Sequence, residues 1–326
     1  MELLIQPLRR SIDVEPGSNL LDVLRRAQIP VSYSCMAGRC GTCRCRLVEG
    51  EVIDPGRARP LDDGDSYVLA CQTFVTQPCT VEIPEPDEVV VHPACIVKAT
   101  VETVETLTRD VKRVVLRPAK PIGYSPGQYV QLQFTPEHAR PYSMAGLAGD
   151  GTLEFHVRKV PGGRVSSYIA TELKPGDRVR VSGPLGTAYL RRKHDGPMLC
   201  VAGGTGLAPV LSILRAVVAE GLRNPVHLYI GVRTPADVYG MGWLRDLQLQ
   251  HPALSLQVVV ASADGSSGLR RGLVTDAIEQ DIASLAGWHA YLCGSPPMVE
   301  AATVLARKKG VEPAHIHADA FYAQPA

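Results

Sequence analysis

Residues 34–45 read SCMAGRCGTCRC and hold four of the nine cysteines in the chain. Cys35, Cys40 and Cys43 have the spacing C-x4-C-x2-C, and Cys71 follows after 27 further residues. This is the plant-type ligand pattern of a [2Fe–2S] cluster, in which the fold brings the distant fourth cysteine back to the loop. The sequence therefore predicts a domain built around a [2Fe–2S] cluster with these four ligands.

Zinc is the alternative metal that the same cysteines could bind. Zinc ribbons usually use two C-x2-C pairs, whereas Cys71 stands alone, so the spacing favours iron and sulfide. Gly38 and Gly41 would let the loop wrap closely around the cluster and present its N–H groups to the sulfur atoms. Cys45 lies on the strand predicted for RCRLVEGEV, and we predict a free structural cysteine there.

The composition of the chain is that of a globular protein with several domains. Its 326 residues are 45% hydrophobic and 21% charged, with a net charge of +1. This charge gives no electrostatic footprint for nucleic acid or an anionic membrane. No run of about 18 apolar residues and no secretory signal is visible. The odd number of cysteines, with no secretory signal, argues against a disulfide framework, and we predict a cytoplasmic protein. The length predicts two or three domains, and we predict a monomer.

Three units are predicted along the chain: residues 1–90, 95–192 and 197–326. In the first, LLI and SID suggest a hairpin, and Ser18 is expected to cap a helix in NLLDVLRRAQ. The proline-rich and acidic segment 84–94 is expected to be a linker. Short alternating strands such as QYVQLQF and TLEFHVRK predict an antiparallel β-barrel in the second unit, interrupted by a helix in SSYIATEL.

In the third unit the predicted strands alternate with predicted helices. Buried strands are predicted in MLCVAG, VHLYIGV, LQVVVAS and AYLCG, and helices in LAPVLSILRAVVAEG, WLRDLQLQ, LVTDAIEQDI and MVEAATVLARKKG. This alternation predicts a parallel sheet covered on both faces.

Two stretches of the middle unit have the chemistry that a flavin dinucleotide requires. The stretch ARPYSMAG offers a cation for the pyrophosphate, an aromatic wall and a hydroxyl near flavin N5. The stretch PGGRVSSYI places two glycines before a predicted helix, whose N-terminus can accept phosphate. Each motif alone is also typical of a solvated strand or an ordinary turn. The candidate residues are Arg140, Tyr142, Ser143, Gly162, Gly163 and Ser166.

Two loops of the last unit have the position expected for a nicotinamide dinucleotide site. CVAGGTGLAPV follows a strand and opens a helix, so Gly203, Gly204 and Gly206 would let the backbone approach a pyrophosphate. The loop is not the G-x-G-x-x-G fingerprint, and a glycine-rich structural turn is the alternative. YLCGSPPMV also follows a strand, and it would place Cys293 in the same crevice, either beside the nicotinamide or as a small buried apolar residue.

The chain resembles the ferredoxin–NADP reductase superfamily, in the branch that carries a fused N-terminal plant-type ferredoxin domain. Within that branch it is similar to the reductases of aromatic-ring-hydroxylating (Rieske) oxygenases, of the naphthalene dioxygenase and salicylate 5-hydroxylase type. The resemblance covers essentially the whole chain. It rests on SYSCMAGRCGTCRCR, PEHARPYSMAGL, HVRKVPGGRV, SGPLGTAYLR, GPMLCVAGGTGLAPVLSI and SLAGWHAYLCG.

The resemblance implies an α+β ferredoxin domain of ubiquitin-like β-grasp fold, an antiparallel barrel for FAD and an α/β domain for NAD(P)H. It implies the cluster ligands and flavin residues above, and a nucleotide loop from Gly203 to Pro209. It also implies an aromatic residue beside the flavin, which Phe321 or Tyr322 supplies, with Phe321 as the predicted one. The further residues that it implies are His156, Val157, Arg158, Thr205, Pro209 and Gly294.

The implied activity is that of a ferredoxin–NAD(P)⁺ reductase. Nicotinamide donates two electrons as hydride and a cluster carries one, so a flavin is needed between them. The implied acceptor is a Rieske ferredoxin or the terminal oxygenase itself. Two alternatives stay open: a different terminal monooxygenase as acceptor, and a zinc-stabilised nucleotide-sensing module without enzyme activity.

Charged residues leave two further questions open. Arg39, Arg44 and Arg46 flank the cysteine loop and either steer an acidic ferredoxin or are solvated loop charges. After VHLYIGV the chain offers both Arg233 and Asp237, a cation for a 2′-phosphate and an acid for a 2′-hydroxyl. We predict NADH as the donor, with tolerance of NADPH.

Overall fold

The computed structural model describes residues 1–27, 29, 31, 38, 43–53, 55, 67–83, 90, 92–93, 95–262 and 268–322. The chain divides into two compact units, Met1–Val89 and Val90–Ala326. None of the described helices is long and apolar enough to cross a membrane. The finer division of the second unit into 95–192 and 197–326, like the end of the first at residue 90, stays a prediction.

The first unit is a mixed sheet with one described helix, α1, which spans Leu20–Arg26. The sheet order is β2-β1-β8-β4-β6, with β1 parallel to β8, and a second small sheet has the order β3-β7-β5. The predicted hairpin is confirmed, because Leu3 pairs with Ile12 across β1 and β2. The strands are β1 Glu2–Gln6, β2 Arg10–Asp13, β3 Ser18–Asn19, β4 Arg44–Glu49, β5 Val52–Ile53, β6 Tyr67–Leu69, β7 Phe74–Val75 and β8 Cys79–Glu82.

The cap of α1 corrects the sequence prediction by one residue. Ser18 lies in β3 and pairs with Val75, so it is not at the cap position. The Asn19 side chain caps the helix instead, because its Oδ1 accepts a hydrogen bond from the backbone N–H of Asp22 at 3.2 Å. Asn and Ser are similarly good caps, so the sequence pattern does not separate them.

The first half of the second unit is a six-stranded antiparallel barrel. Its order is β12-β11-β14-β9-β10-β13, and a bridge between Met144 and Phe155 joins the two ends and nearly closes it. The predicted helix is confirmed as α2, Arg164–Thr171. The strands are β9 Cys95–Thr106, β10 Val111–Pro118, β11 Tyr129–Thr135, β12 His138–Ser143, β13 Leu153–Arg158 and β14 Arg178–Leu185.

The second half is a parallel sheet with the order β18-β17-β16-β15-β19-β20. Apolar clusters cover both faces, and α3 and α4 lie on one while α5 and α6 lie on the other. The strands are β15 Met198–Gly203, β16 Val226–Val232, β17 Leu254–Val260, β18 Arg270–Arg271, β19 His289–Gly294 and β20 Ile316–Ala320. The helices are α3 Leu207–Ala219, α4 Met241–Gln250, α5 Val274–Asp281 and α6 Pro296–Lys308.

Candidate functional site

Two of the four predicted cluster ligands are described, and they lie side by side. Cys43 and Cys71 are both buried, and the backbone N–H of Cys71 donates to Sγ of Cys43 at 3.4 Å. The Gln72 amide lies 3.8 Å from Cys71 Sγ. N–H groups that point at sulfur are what a thiolate ligand requires, so this pair fits an iron–sulfur cluster. Cys35 and Cys40 lie outside the described residues.

The position of Cys71 is fixed by the cap of α1. The Nδ2 group of Asn19 donates to the Cys71 carbonyl at 3.1 Å and lies 3.4 Å from the Thr73 carbonyl. The backbone N–H of Leu20 donates to the Thr73 carbonyl at 2.8 Å. The Asn19 side chain therefore caps the N-terminus of α1 and also holds the segment that carries Cys71, the fourth predicted ligand.

Cys45 has the surroundings of a structural residue. It is fully buried on β4, and burial raises its pKa well above the usual range of a thiol. Its Sγ lies 3.8 Å from the Cys43 carbonyl oxygen. A neutral thiol in an apolar cluster is a poor metal ligand, in keeping with the prediction that Cys45 is a free cysteine.

The two described arginines near the cysteine loop both have partners within the first unit. Arg44 stacks on the Tyr67 ring, with its Cζ 4.3 Å from the ring centroid. Arg46 forms an ion pair with Glu82 across β4 and β8. Arg39 lies outside the described residues.

In the second unit, the predicted flavin residues of β12 meet the last strand of the parallel sheet. Ser143 is buried, and its Oγ lies 3.1 Å from Oδ2 of Asp319 on β20. Asp319 pairs in register with Cys293. Burial raises the pKa of Asp319 to about 6, although the hydrogen bond from Ser143 opposes the shift. Burial, together with Asp319, also raises the pKa of Cys293, so its thiol stays protonated.

Arg140 and Tyr142 lie on the same strand as Ser143, and both are half-buried. Within the described part of the chain, Arg140 Nη1 donates to the adjacent Ala139 carbonyl at 3.1 Å, and the guanidinium has further N–H donors for an anion. Tyr142 packs at the edge of the barrel core, and burial raises the pKa of its phenol. A half-buried cation beside an aromatic ring fits a flavin with its pyrophosphate.

The turn before α2 has no room for side chains at its second glycine. Gly162 has φ +71°, which favours glycine, and a Cβ on Gly163 would lie 2.5 Å from Ser166 Oγ. The Ser166 hydroxyl contacts the Gly163 carbonyl and the Val160 N–H, both at 3.2 Å. The glycine pair and Ser166 thus form one turn at the helix N-terminus.

The predicted nucleotide loop packs directly against β19. A Cβ on Gly206 would lie 2.1 Å from the Cys293 carbonyl oxygen, and one on Gly294 would lie 2.9 Å from Gly203 Cα. A Cβ on Gly204 would lie 2.9 Å from Arg158 Nη1 of the barrel. Thr205 is half-buried, and Pro209 is buried in the first turn of α3. The glycines therefore bring the ends of β15 and β19 together, and Gly204 lies next to Arg158 of β13.

The three candidates on β13 have different environments. Val157 packs in the barrel core. The His156 side chain is fully buried outside that core, 3.1 Å from both the Tyr239 hydroxyl and a Glu154 carboxylate oxygen. Arg158 Nε lies 3.4 Å from Asp110 Oδ2.

The C-terminal aromatics also differ. Tyr322 packs against the apolar cluster of α5 and α6, whereas Phe321 is outside the apolar clusters of the described residues. The backbone N–H of Phe321 donates to the Gly294 carbonyl at 2.8 Å. This bond holds the Phe321 backbone at the predicted nicotinamide crevice.

The charged residues after β16 are already paired. Asp237 is fully buried and accepts hydrogen bonds from the N–H and hydroxyl of Thr234, both at 3.0 Å. Arg233 lies 3.2 Å from Asp110 and 3.7 Å from Asp237. Asp237 therefore caps the turn 235–237, and its carboxylate neutralises part of the charge of Arg233.

Three family models match the chain in the order of these structural parts. They are a 2Fe-2S iron-sulfur cluster binding domain over residues 3–76, an oxidoreductase FAD-binding domain over 98–189 and an oxidoreductase NAD-binding domain over 200–303.

Curated relatives match the chain from end to end. The reductase component of the naphthalene 1,2-dioxygenase/salicylate 5-hydroxylase systems of a Ralstonia species is 56% identical over 324 residues, 99% of each chain. The reductase component of the naphthalene 1,2-dioxygenase system of Pseudomonas putida is 55% identical over 328 residues, again 99% of each. The chain belongs to this family of ferredoxin–NAD(P)⁺ reductase components.

The fold agrees with that membership. The crystal structure of an Amycolatopsis cytochrome P450 reductase has 34% identity and a TM-score of 0.74, with 98% of each chain covered. The reductase is thus an oxidoreductase with domains for a 2Fe–2S cluster, FAD and NAD, and those three cofactor predictions are confirmed. The zinc alternative is not retained.

Asp319 and Tyr239 belong to this site and were absent from the sequence prediction. Asp319 is 176 residues from Ser143, and Tyr239 is 83 residues from His156, so spacing gives no signal for either contact. A weak signal exists for Asp319, since an acid within the apolar run IHADA is unusual for a strand in a parallel sheet.

Proposed function

We propose that the reductase transfers electrons from NADH through FAD and the [2Fe–2S] cluster to a Rieske ferredoxin of an aromatic-ring oxygenase system, of the naphthalene or salicylate type. The observation that carries this proposal is the convergence of two strand ends of the parallel sheet on two strands of the barrel, β13 and β12. Gly204 packs against Arg158, and Ser143 hydrogen-bonds Asp319. The candidate flavin and nicotinamide residues are thereby adjacent.

Each bound group would supply its own chemistry: nicotinamide a hydride, FAD the conversion of two-electron to one-electron transfer, and the cluster a one-electron carrier. The protein residues bind and orient these groups. Arg140 and the turn of Gly162, Gly163 and Ser166 would bind the FAD pyrophosphate, and Tyr142 would pack on the flavin ring. Cys43 and Cys71, with Cys35 and Cys40, would ligate the cluster.

Ser143 and Asp319 would set the polarity of the position beside flavin N5. A hydroxyl has one donor and two acceptor sites. When Asp319 is ionised, Ser143 donates to it and turns an acceptor to the flavin. When Asp319 is protonated, it can donate to Ser143, and the hydroxyl proton is available to the flavin. The pKa of about 6 places this change close to neutral pH.

Residues of the parallel sheet would bind the nicotinamide nucleotide. The loop Gly203–Pro209 would hold its pyrophosphate at the start of α3. Cys293 and Gly294 would line the nicotinamide crevice, with the neutral Cys293 thiol as an apolar wall. Phe321 would cover the flavin, because Tyr322 already packs against the sheet.

NADH is the proposed donor. A 2′-phosphate would have to compete with Asp110 and Asp237 for the Arg233 guanidinium. Asp237 is itself engaged in its turn, so a strict selection for the 2′-hydroxyl by this acid is not proposed. We therefore expect kcat/KM to be higher for NADH than for NADPH, and a large preference for NADPH would contradict this.

The acceptor is proposed from the names of the relatives. The two curated relatives belong to dioxygenase and hydroxylase systems, while the structural relative is named for a cytochrome P450, so direct delivery to another terminal monooxygenase is the second candidate. A ubiquitin-like β-grasp fold for the first unit is proposed on the hairpin of β1 and β2, the helix α1 and the parallel pairing of β1 with β8. A monomeric, cytoplasmic protein that binds neither nucleic acid nor membrane stays a prediction.

The test is reconstitution. Purified reductase loaded with FAD and cluster should lose its flavin absorbance when NADH is added without oxygen. It should then support NADH-dependent product formation with a Rieske ferredoxin and its ring-hydroxylating oxygenase. Omission of the ferredoxin should stop turnover, whereas turnover without it would favour direct delivery to the oxygenase. A protein whose flavin is not reduced by NADH would contradict the proposed function.

A further inference from the structure

Polar residues alternate with core residues on β13, and the polar ones are buried outside the barrel. Glu154 and His156 are almost inaccessible to solvent although neither points into the barrel core. Both contact residues of the parallel-sheet half of the unit. The outer face of this strand is therefore a buried polar contact between the proposed flavin and nucleotide domains.

Glu154 stays charged in this position because two arginines face it. Its Oε2 lies 2.8 Å from Arg113 Nη2 of β10 and 3.4 Å from Arg215 Nη1 of α3. Hydrogen bonds from His156 and Arg113 hold the pKa of the Glu154 carboxyl well below its usual range, against the effect of burial. Removal of one partner would leave an uncompensated buried charge, so the arginines and His156 hold Glu154 in one defined position.

The contacts of His156 lead from Glu154 to the nucleotide loop. One ring nitrogen, Nε2, lies 3.1 Å from Glu154 Oε1, and the other, Nδ1, lies 3.1 Å from the Tyr239 hydroxyl. That hydroxyl lies 3.4 Å from the Gly204 carbonyl oxygen. The His156 ring is stacked on Trp243 of α4, which fixes its plane.

The number of protons in this chain of contacts limits which bonds form together. An ionised Glu154 only accepts, so Nε2 of His156 carries a proton and donates to it. Burial lowers the pKa of His156, which favours the neutral ring. In the neutral ring Nδ1 is an acceptor, and the Tyr239 hydroxyl donates its single hydrogen bond to it. When His156 is protonated, Nδ1 becomes a donor, and the Tyr239 proton is then available to the Gly204 carbonyl.

We propose that Tyr239 is a positioning residue that ties the nucleotide loop at Gly204 to strand β13, with His156 setting the direction of its hydrogen bond. The inference rests on the proposed function, because it takes the loop Gly203–Pro209 as the nucleotide site. Hydride transfer requires reacting atoms about 3–3.5 Å apart. A nucleotide loop held against β13 would keep the bound nicotinamide close to the flavin and so favour that distance.

The variant Tyr239→Phe tests this directly, because it removes the hydroxyl and keeps the ring that packs edge-on to His156. Tyr229→Phe is the matched control: Tyr229 is a buried tyrosine of β16 whose hydroxyl contacts Asp281 at 3.0 Å and not the loop. Both variants are prepared as full-length, FAD-loaded protein. Amide hydrogen exchange of a peptide spanning residues 198–211 is followed in the absence of nucleotide.

At a pH acidic enough to protonate His156, where the Tyr239 proton is available to the Gly204 carbonyl, we expect the protection of this peptide in Tyr239→Phe to fall about five-fold, the equivalent of one hydrogen bond of about 1 kcal/mol. The dissociation constant for NAD⁺ should rise by a similar factor, and Tyr229→Phe should match the wild type in both measurements. Unchanged protection and unchanged NAD⁺ affinity in Tyr239→Phe would overturn the proposal.

The pH dependence separates positioning from a general structural role. The charged and titratable groups facing His156 are Glu154, Arg113, Arg215 and Tyr239. Because burial lowers the pKa of His156, the protection factor of the loop in the wild type should increase only below the usual titration range of histidine, between pH 6 and pH 4, as His156 gains its second proton. It should not change with pH in Tyr239→Phe or in His156→Gln, and a pH dependence equal to that of the wild type in both variants would overturn the proposal.

Failure of the proposed function would be visible elsewhere. If NADH does not reduce the flavin of the wild-type protein, the proposed function is wrong and this inference is overturned with it. If the wild type is reduced normally and Tyr239→Phe retains wild-type protection, only the inference is wrong. Should Tyr239→Phe not retain FAD, the comparison of His156→Gln with the wild type at pH 4 and pH 8 decides by the same protection factor.

Discussion

The cysteine site of the first unit and the flavin–nucleotide site of the second are built from sequence in opposite ways. Three of the four predicted cluster ligands lie within nine residues of each other, and only Cys71 is distant. At the second site, Ser143 meets Asp319 from 176 residues away and His156 meets Tyr239 from 83. The first site is a local motif, whereas the second exists only after two folds have packed against one another.

This difference determines what each site tolerates. The cluster site depends on chemical identity, since the plant-type pattern binds its iron through four cysteine thiolates. The second site depends on close packing, since its glycines leave no space for a Cβ and its polar groups are buried in pairs. Changes of ligand chemistry should damage the first site, and changes of volume or protonation should damage the second.

The largest effect is expected for Cys71→Ser. The bound iron and sulfide should fall close to zero, because the cluster loses one of four thiolate ligands, while the FAD content stays unchanged. Cys45→Ala is the control, since Cys45 is buried on β4 with a raised pKa, and it should keep its iron. Iron analysis and the visible spectrum decide, and equal iron loss in the two variants would contradict the ligand assignment.

The next effect is expected for Gly206→Ala. Its Cβ would lie 2.1 Å from the Cys293 carbonyl oxygen, so the ends of β15 and β19 must move apart. We expect a loss of about 2–3 kcal/mol in the free energy of unfolding and weaker NAD⁺ binding. Gly242→Ala is the matched control, because nothing lies within 4 Å of its Cβ, and it should be neutral or slightly stabilising. Denaturant unfolding and NAD⁺ titration measure both effects.

The same contrast explains how much of the molecule could be predicted. Strand β16 and helix α3 were predicted closely, because long apolar segments with clear periodicity determine their own structure. Strand β20 was missed, since His317 and Asp319 interrupt its apolar pattern. Both polar residues are accommodated by partners elsewhere: His317 lies 3.2 Å from His289, and Asp319 contacts Ser143.

For the candidate sites, residue type was more predictable than residue partner. Sequence order and spacing identified Cys43, Ser143 and Gly206 as candidates, since each belongs to a recognisable short stretch. The pairing of Arg233 with Asp110 could not be foreseen, because Asp110 is 123 residues away on the barrel side. Interpreting a charge as available for a ligand requires knowing what neutralises it.

A pH-dependent effect of intermediate size is expected for Asp319→Asn. The pKa of Asp319 is raised to about 6 in the folded protein, above about 3.9 in an unfolded chain, so the folded state binds more protons between these values. Stability contributed by protonated Asp319 is therefore present below pH 4 and lost as the pH rises through 6.

In the variant this loss should be absent. Relative to the wild type, Asp319→Asn should be about 2–3 kcal/mol more stable at pH 8, and the difference should shrink toward pH 4. Asp276→Asn, a change in the first turn of α5, provides a control without the Ser143 contact. Unfolding free energies across pH 4–8 test this, and a difference that does not vary with pH would contradict the assigned cause.

The smallest effect is expected at Arg46, which follows the cysteine loop on β4. Arg46 is paired with Glu82 at the surface, and exposed ion pairs contribute at most about 1 kcal/mol, so Arg46→Gln should change stability little. If the Arg46 charge steers an acidic ferredoxin, ferredoxin reduction at low salt should slow a few-fold in Arg46→Gln, with flavin reduction by NADH unchanged.

Glu82→Gln provides the opposite test, because it leaves Arg46 without its neutralising partner and should accelerate the same step. The rates should converge at high salt, where such attraction is screened. Equal low-salt rates in both variants and the wild type would leave Arg46 as a structural partner of Glu82.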